Sequence, residues 1–153
     1  MLPLKDDVPT RSFPVITVLL IVINVLVYLY EFALGVPAEP SRAARLAAER
    51  AYEAFISEFG LIPCRLGDVC PPRLATALAG APQPWLTVFT SMFVHGGLFH
   101  IAGNMLYLWI FGNNVEDSMG KSRFVVFYLL CGIAAALAQY LPDSGSVIPM
   151  VGA

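Results

Sequence analysis

The sequence predicts an all-α membrane protein, a polytopic helical bundle. Three observations carry that expectation. The composition is 58% hydrophobic and 13% charged, against about 25% charged in ordinary soluble domains. Mean hydropathy is +0.71. No Asp, Glu, Lys or Arg occurs between Leu74 and Val115. Three stretches in all approach the roughly 20 mostly apolar residues that a spanning helix needs. A net charge of −2 leaves no basic footprint, which argues against nucleic acid as a partner and leaves membrane lipid.

Residues 1–11 read as a short polar arm, and residues 12–153 as one membrane domain. The first span is expected at about 13–34. Ser12 to Tyr30 carries no charge, and Pro14 suits a first helical turn. A cleaved signal peptide is the competing reading, but the apolar stretch exceeds the usual roughly 7–15 residues and Asp6 and Asp7 weaken its basic flank. Asn24, in mid-span, suits a hydrogen bond to a neighbouring helix. Glu31 marks the outer boundary.

Residues 35–96 form a long loop. Ser41 is an N-cap, and Ala44, Ala47, Ala48, Ala51, Phe55 and Phe59 recur at helical spacing with charged residues on the other faces. An amphipathic helix ending at Gly60 follows. Cys64 and Cys70 lie six apart among Pro63, Gly67, Pro71 and Pro72. An oxidising exterior permits a disulfide there, and two free thiols remain the alternative. Two cysteines are too few for a tetrahedral zinc site, so no metal is expected.

The second span is expected at about 97–116 and the third at about 121–141. Gly132 and Ala136 form a small-x-x-x-small pair that lets helices approach, and Gly103 suits the same purpose in the second span. Cys131 reads as a packing residue. Residues 148–153 are expected to begin a fourth helix. Lys5 and Arg11 before the first span, and Lys121 and Arg123 after the second, place the N-terminus and that connection inside, and the long loop outside.

The chemistry is concentrated in one run, His95-Gly96-Gly97-Leu98-Phe99-His100-Ile101-Ala102-Gly103-Asn104. His100 and Asn104 stand at i and i+4 and share a helical face. Gly96-Gly97 breaks the register, which puts His95 on a loop or re-entrant segment. Polar groups in hydrocarbon need partners and mark function. Two neutral donors on one face suit stabilisation of a developing oxyanion. Neither is a nucleophile, so both read as helpers to an attacking group elsewhere. The bland alternative is a hydrogen-bonded cluster without chemistry.

The stretch Phe89 to Leu106, continued by Trp109-Ile110-Phe111-Gly112-Asn113-Asn114-Val115-Glu116-Asp117, resembles the second-helix region of the rhomboid family of intramembrane serine proteases. The third span and the N-terminal region resemble it as well. The resemblance implies a six-helix core and a Ser–His dyad that cleaves single-span transmembrane substrates without a cofactor. It maps His100 and Asn104 to oxyanion stabilisation, His95 to a supporting role and Glu116 to a structural acid. Gly152-Ala153 matches the two positions before the family's nucleophilic Ser. The chain thus reads as the N-terminal part of a longer protein whose remaining helices are its partners, inactive alone, and its expected place is a bacterial plasma membrane. The family's Trp-Arg pair is absent: Leu86-Thr87 stand there, with Trp85 one position earlier.

Two other readings compete. A rhomboid-like pseudoprotease would bind membrane helices without cleaving them, and a residue other than Ser in the expected position would favour it. A haem or metal protein using His95 and His100 would show a Soret band or bound metal, though Gly96-Gly97 spoils a simple helical ligand pair.

Overall fold

The computed structural model describes residues 12–152. The arm 1–11, with Lys5 and Arg11, and Ala153 lie outside the described residues. Seven helices account for the fold among them: α1 (Val15–Leu34), α2 (Arg42–Phe59), α3 (Pro63–Leu66), α4 (Pro72–Ala77), α5 (Pro84–Thr90), α6 (Leu98–Met119) and α7 (Lys121–Tyr140). No strand occurs among the described residues; Leu61 and Met150 form one isolated antiparallel bridge. Helices α1 and α7 are long and apolar enough to cross a membrane. Helix α6 has 22 residues, about 33 Å at 1.5 Å per residue, and packs against both.

Helix α1 buries polar residues and exposes apolar ones. Its three buried residues are Thr17, Asn24 and Glu31. They stand seven apart, so they line one face. Leu19, Val22, Leu26, Leu29 and Phe32 are exposed. That inversion suits a helix whose outer surface meets lipid. Asn24 donates from Nδ2 to Leu20 O at 2.8 Å within its own helix, and its side chain also meets Tyr128 of α7.

Glutamates tie both ends of α1 to the rest of the bundle. At the N-terminal end, Glu116 of α6 accepts the Ile16 amide at 3.0 Å, the Thr17 amide at 2.8 Å and the Thr17 hydroxyl at 2.9 Å. First-turn amides have no partner inside their own helix, and a carboxylate satisfies them. Asp117 accepts the Ser12 amide and hydroxyl beside it. Gly112 makes room there: a Cβ on it would lie 3.0 Å from Thr17 Cγ2.

The small residues divide differently from the sequence expectation. A Cβ on Gly103 would meet nothing within 4 Å, so Gly103 does not serve close helix approach. A Cβ on Gly132 would overlap the Met92 side chain, so that glycine admits the segment after α5 rather than another long helix. Cys131 is exposed, not packed. Gly120 turns α6 into α7 as a single linking residue with φ +80°, a conformation that glycine adopts without strain.

The loop 35–96 is mostly helical. Helix α2 runs from Arg42 to Phe59, and the Ser41 hydroxyl accepts the Ala44 amide at 3.1 Å. The Thr90 hydroxyl donates to Phe59 O at 2.6 Å and fixes the far end of α2 on α5. Cys64 and Cys70 form a disulfide. Arg65 Nη2 donates to Pro82 O at 2.6 Å. At the start of α5, Trp85 is exposed, and Thr87 is buried with its hydroxyl donating to Pro84 O at 2.7 Å.

Residues 148–152 are not the start of a helix; Met150 sits instead in the isolated bridge with Leu61. Leu61 and Met150 exchange backbone hydrogen bonds at 3.0 and 2.8 Å, and the Cys64 amide donates to Ser146 O at 3.0 Å. These long-range partners hold the backbone out of helical register, and Pro149 has no amide to give to a helix.

Candidate functional site

The site lies where three segments meet: the turn before α6, the first turns of α6, and the non-helical segment 150–152. Helix α5 stops at Thr90, and the chain turns through residues 91–97 before Gly97 starts α6, taking the His100 and Ile101 amides on its carbonyl at 3.1 Å each. Ser91, Met92, Val94 and His95 in that turn are all buried. The turn is therefore a packed element, and it aims the His95 ring at α6.

His95 is fully buried. Its Nδ1 lies 3.2 Å from Phe93 O, and its Nε2 lies 3.3 Å from Asn104 Nδ2. A carbonyl only accepts and an amide nitrogen only donates, so these partners select the neutral ring with its proton on Nδ1. Burial holds the imidazole below its usual pKa of 6.5; the Phe93 bond opposes that shift and nearby His100 adds to it. The His95 and His100 rings meet edge to face at 5.3 Å between centroids.

His100 and Asn104 stand one turn apart on α6. Asn104 has two amide hydrogens; one points to His95 and the other stays available. Asn104, Met105, Leu108 and Tyr128 line a cavity of about 220 Å³. Gly152 comes directly against the pair. A Cβ there would lie 2.5 Å from His100 Nε2, 2.6 Å from its Cε1 and 3.1 Å from Asn104 Nδ2. Its φ of +79° also disfavours a side chain. The Gly152 amide donates to Ser91 O at 2.8 Å. Only glycine lets the backbone approach these two side chains so closely.

The structure thus brings His95, His100 and Asn104 together. It places Glu116 at the other end of α6, beside the start of α1, and Cys64 and Cys70 in the loop that anchors residues 146–150. No group of three or more His, Cys, Asp or Glu residues arranged to hold a metal occurs among the described residues. Sequence reading missed Glu31 as part of the site. The His95 backbone amide donates to both its carboxylate oxygens, each at 3.2 Å. The available signal was the seven-residue spacing of Thr17, Asn24 and Glu31.

Fold and site together define a helical membrane protein with paired side-chain hydrogen-bond donors gathered at one end of its bundle. Comparison with known proteins narrows that class. Residues 82–153 match the family model described as the rhomboid domain. The chain is 37% identical over 70 residues to "Rhomboid protease GluP" of Bacillus subtilis (strain 168), covering 43% of this chain and 14% of that protein. It is 35% identical over 65 residues to the mitochondrial presenilin-associated rhomboid-like protein of Mus musculus, covering 41% and 17%. It is 33% identical over 57 residues to the chloroplastic rhomboid-like protein 11 of Arabidopsis thaliana, covering 37% and 20%. The matched segments span a fifth or less of these relatives. No solved structure matches the chain. Together these findings show that residues 82–153 are similar to the rhomboid domain and to segments of rhomboid proteins.

Proposed function

We propose that the full-length protein is an intramembrane serine endopeptidase of the rhomboid type, in which this chain supplies the oxyanion-stabilising side. A serine outside the described residues attacks a peptide carbonyl of a single-span transmembrane substrate. A histidine, also outside them, takes the serine's proton and returns it to the leaving amine. The carbonyl oxygen gains charge and receives hydrogen bonds from His100 Nε2 and the free Nδ2 hydrogen of Asn104. His95 holds the Asn104 amide in place by accepting its other hydrogen.

The observation that carries this reading is the approach of the Gly152 backbone to His100 Nε2 and Asn104 Nδ2. The segment leading to the proposed nucleophile already runs against the two donors. The basic residues Lys121 and Arg123 and the disulfide loop support a cytoplasmic N-terminus, an extracytoplasmic loop 35–96 and a site opening outward, in a bacterial plasma membrane. No cofactor enters the chemistry.

The test is cleavage of a model single-span substrate by the full-length protein in proteoliposomes. His100→Ala and Asn104→Ala are each expected to lower kcat by about a hundredfold, the scale of one lost oxyanion donor, with the fold retained. Wild-type rates in both variants would remove the oxyanion role. Wild-type protein that binds the substrate helix and leaves it intact would make the protein a rhomboid-like pseudoprotease instead.

A further inference from the structure

We infer that Glu31 is a positioning residue for the oxyanion donors, acting through His95 on Asn104. The inference rests on the proposed role of Asn104. Glu31 lies in the last turn of α1 and is fully buried. A carboxylate in such a place is costly unless it is well paired. Among the described residues its hydrogen-bond donor is one backbone amide, that of His95, shared between both oxygens at 3.2 Å. Glu116 differs sharply, because it satisfies three donors at the other end of the same helix. Glu116 reads as a helix clamp. Glu31 holds one peptide group, at the residue whose ring sets the Asn104 amide.

The chain of contacts is short. Glu31 fixes the His95 amide. The same residue's ring is oriented by Phe93 O through Nδ1 and accepts Asn104 Nδ2 at 3.3 Å through Nε2. A shift of the 94–96 backbone therefore moves the acceptor that orients Asn104. Glu31 touches neither His100 nor Asn104 by any hydrogen bond among those formed by the described residues, so its effect on a reacting carbonyl passes through His95. Tyr28, Glu49 and Tyr52 line the cavity of about 290 Å³ beside it, so its other face looks toward α2. The end of α1 thereby links the helix of the outer loop to the donor pair.

The experiment uses the full-length protein, wild type and with Glu31→Gln, Glu31→Leu, Asn104→Ala and the Glu31→Leu/Asn104→Ala pair. Glu31→Leu is expected to lower kcat by about tenfold to a hundredfold, the effect of displacing a catalytic group by an ångström or less, with KM unchanged. Glu31→Gln keeps an acceptor for the His95 amide and is expected to restore kcat to within about threefold. Added to Asn104→Ala, Glu31→Leu is expected to cost little more, because the group it positions is already gone. A purely structural role would instead lower thermal stability and the two effects would multiply in the pair.

A second readout does not need cleavage. In detergent micelles, the 15N shifts of the His95 ring report its tautomer. Wild type and Glu31→Gln are expected to show the Nδ1–H form alone, and Glu31→Leu a mixture of tautomers. A pure Nδ1–H ring in Glu31→Leu would overturn the inference. If the wild-type protein cleaves nothing, the proposed function fails, and the ring signals still decide whether Glu31 orients His95.

Discussion

At the scale of single residues, the site depends on which nitrogen of His95 carries a proton. Nε2 must be bare to accept Asn104 Nδ2. Burial and the neighbouring His100 keep the ring neutral below the usual pKa of 6.5. The groups around it are the Glu31 carboxylate on its backbone amide, His100, Asn104 and Phe93 O. With the folded pKa depressed, the unfolded chain binds more protons in the acid range. Stability from this group is complete above about pH 6.5 and is lost as pH falls through the folded pKa. On acidification from about pH 7.5 to 5.5 the wild type is therefore expected to lose more thermal stability than His95→Gln, which accepts but does not titrate there, with Glu31 present in both. Equal slopes in both proteins would show that another group is responsible. The pairing of His100 with Asn104 was legible in the sequence because four residues make one helical turn. The tautomer of His95 was not, since it depends on Phe93 O, and the role of Glu31 depends on a contact between residues 64 apart.

At the scale of elements, local signals and long-range partners divide the legible from the illegible. Helix α2 was readable end to end: Ser41 caps it, its apolar positions repeat at helical spacing, and Gly60 closes it. The segment 148–152 was not. It contains Val, Ile and Met that would fit a helix, yet Leu61 and Cys64 pair with Met150 and Ser146 and keep it out of one. The Cys64–Cys70 disulfide closes the loop that supplies those partners, and Cys64 itself is fully buried. Opening the ring by Cys64→Ser/Cys70→Ser is expected to loosen residues 146–152 before the long helices. Amide exchange at Met150 and Gly152 is expected to rise by about tenfold while that of α6 is unchanged, since local openings differ in free energy across one fold. Uniform exchange across both regions would show that the ring contributes only to global stability. A Gly152→Ala variant complements this: strain at φ +79° and the crowding of His100 are expected to displace the same segment with the disulfide intact.

At the scale of the whole molecule, the bundle is organised by polar contacts inside an apolar exterior. Lipid is as apolar as the side chains that face it, so burying Leu or Val against another helix gains little, and hydrogen bonds and close packing decide which faces meet. The stripe Thr17, Asn24, Glu31 shows the consequence on α1: each polar residue turns inward to α6, α7 or the turn before α6, while the apolar residues stay outside. Hydropathy alone made the helices legible, and it is blind to this inward face. Glu116 is where the arrangement is most concentrated. Removing its carboxylate leaves two first-turn amides and the Thr17 hydroxyl unpaired at a buried helix end. Glu116→Ala is expected to lower unfolding stability by about 2 to 4 kcal/mol, measured by denaturation in mixed micelles. Thr17→Val, which deletes one of the three bonds and keeps the side chain's shape, is expected to cost about 1 kcal/mol. Combined, the two are expected to cost less than their sum, because the hydroxyl and the carboxylate serve one another. Strict additivity would mean that α1 and α6 are held by packing at Gly112 rather than by the glutamate, and the polar stripe would then be a consequence of the fold instead of its organiser.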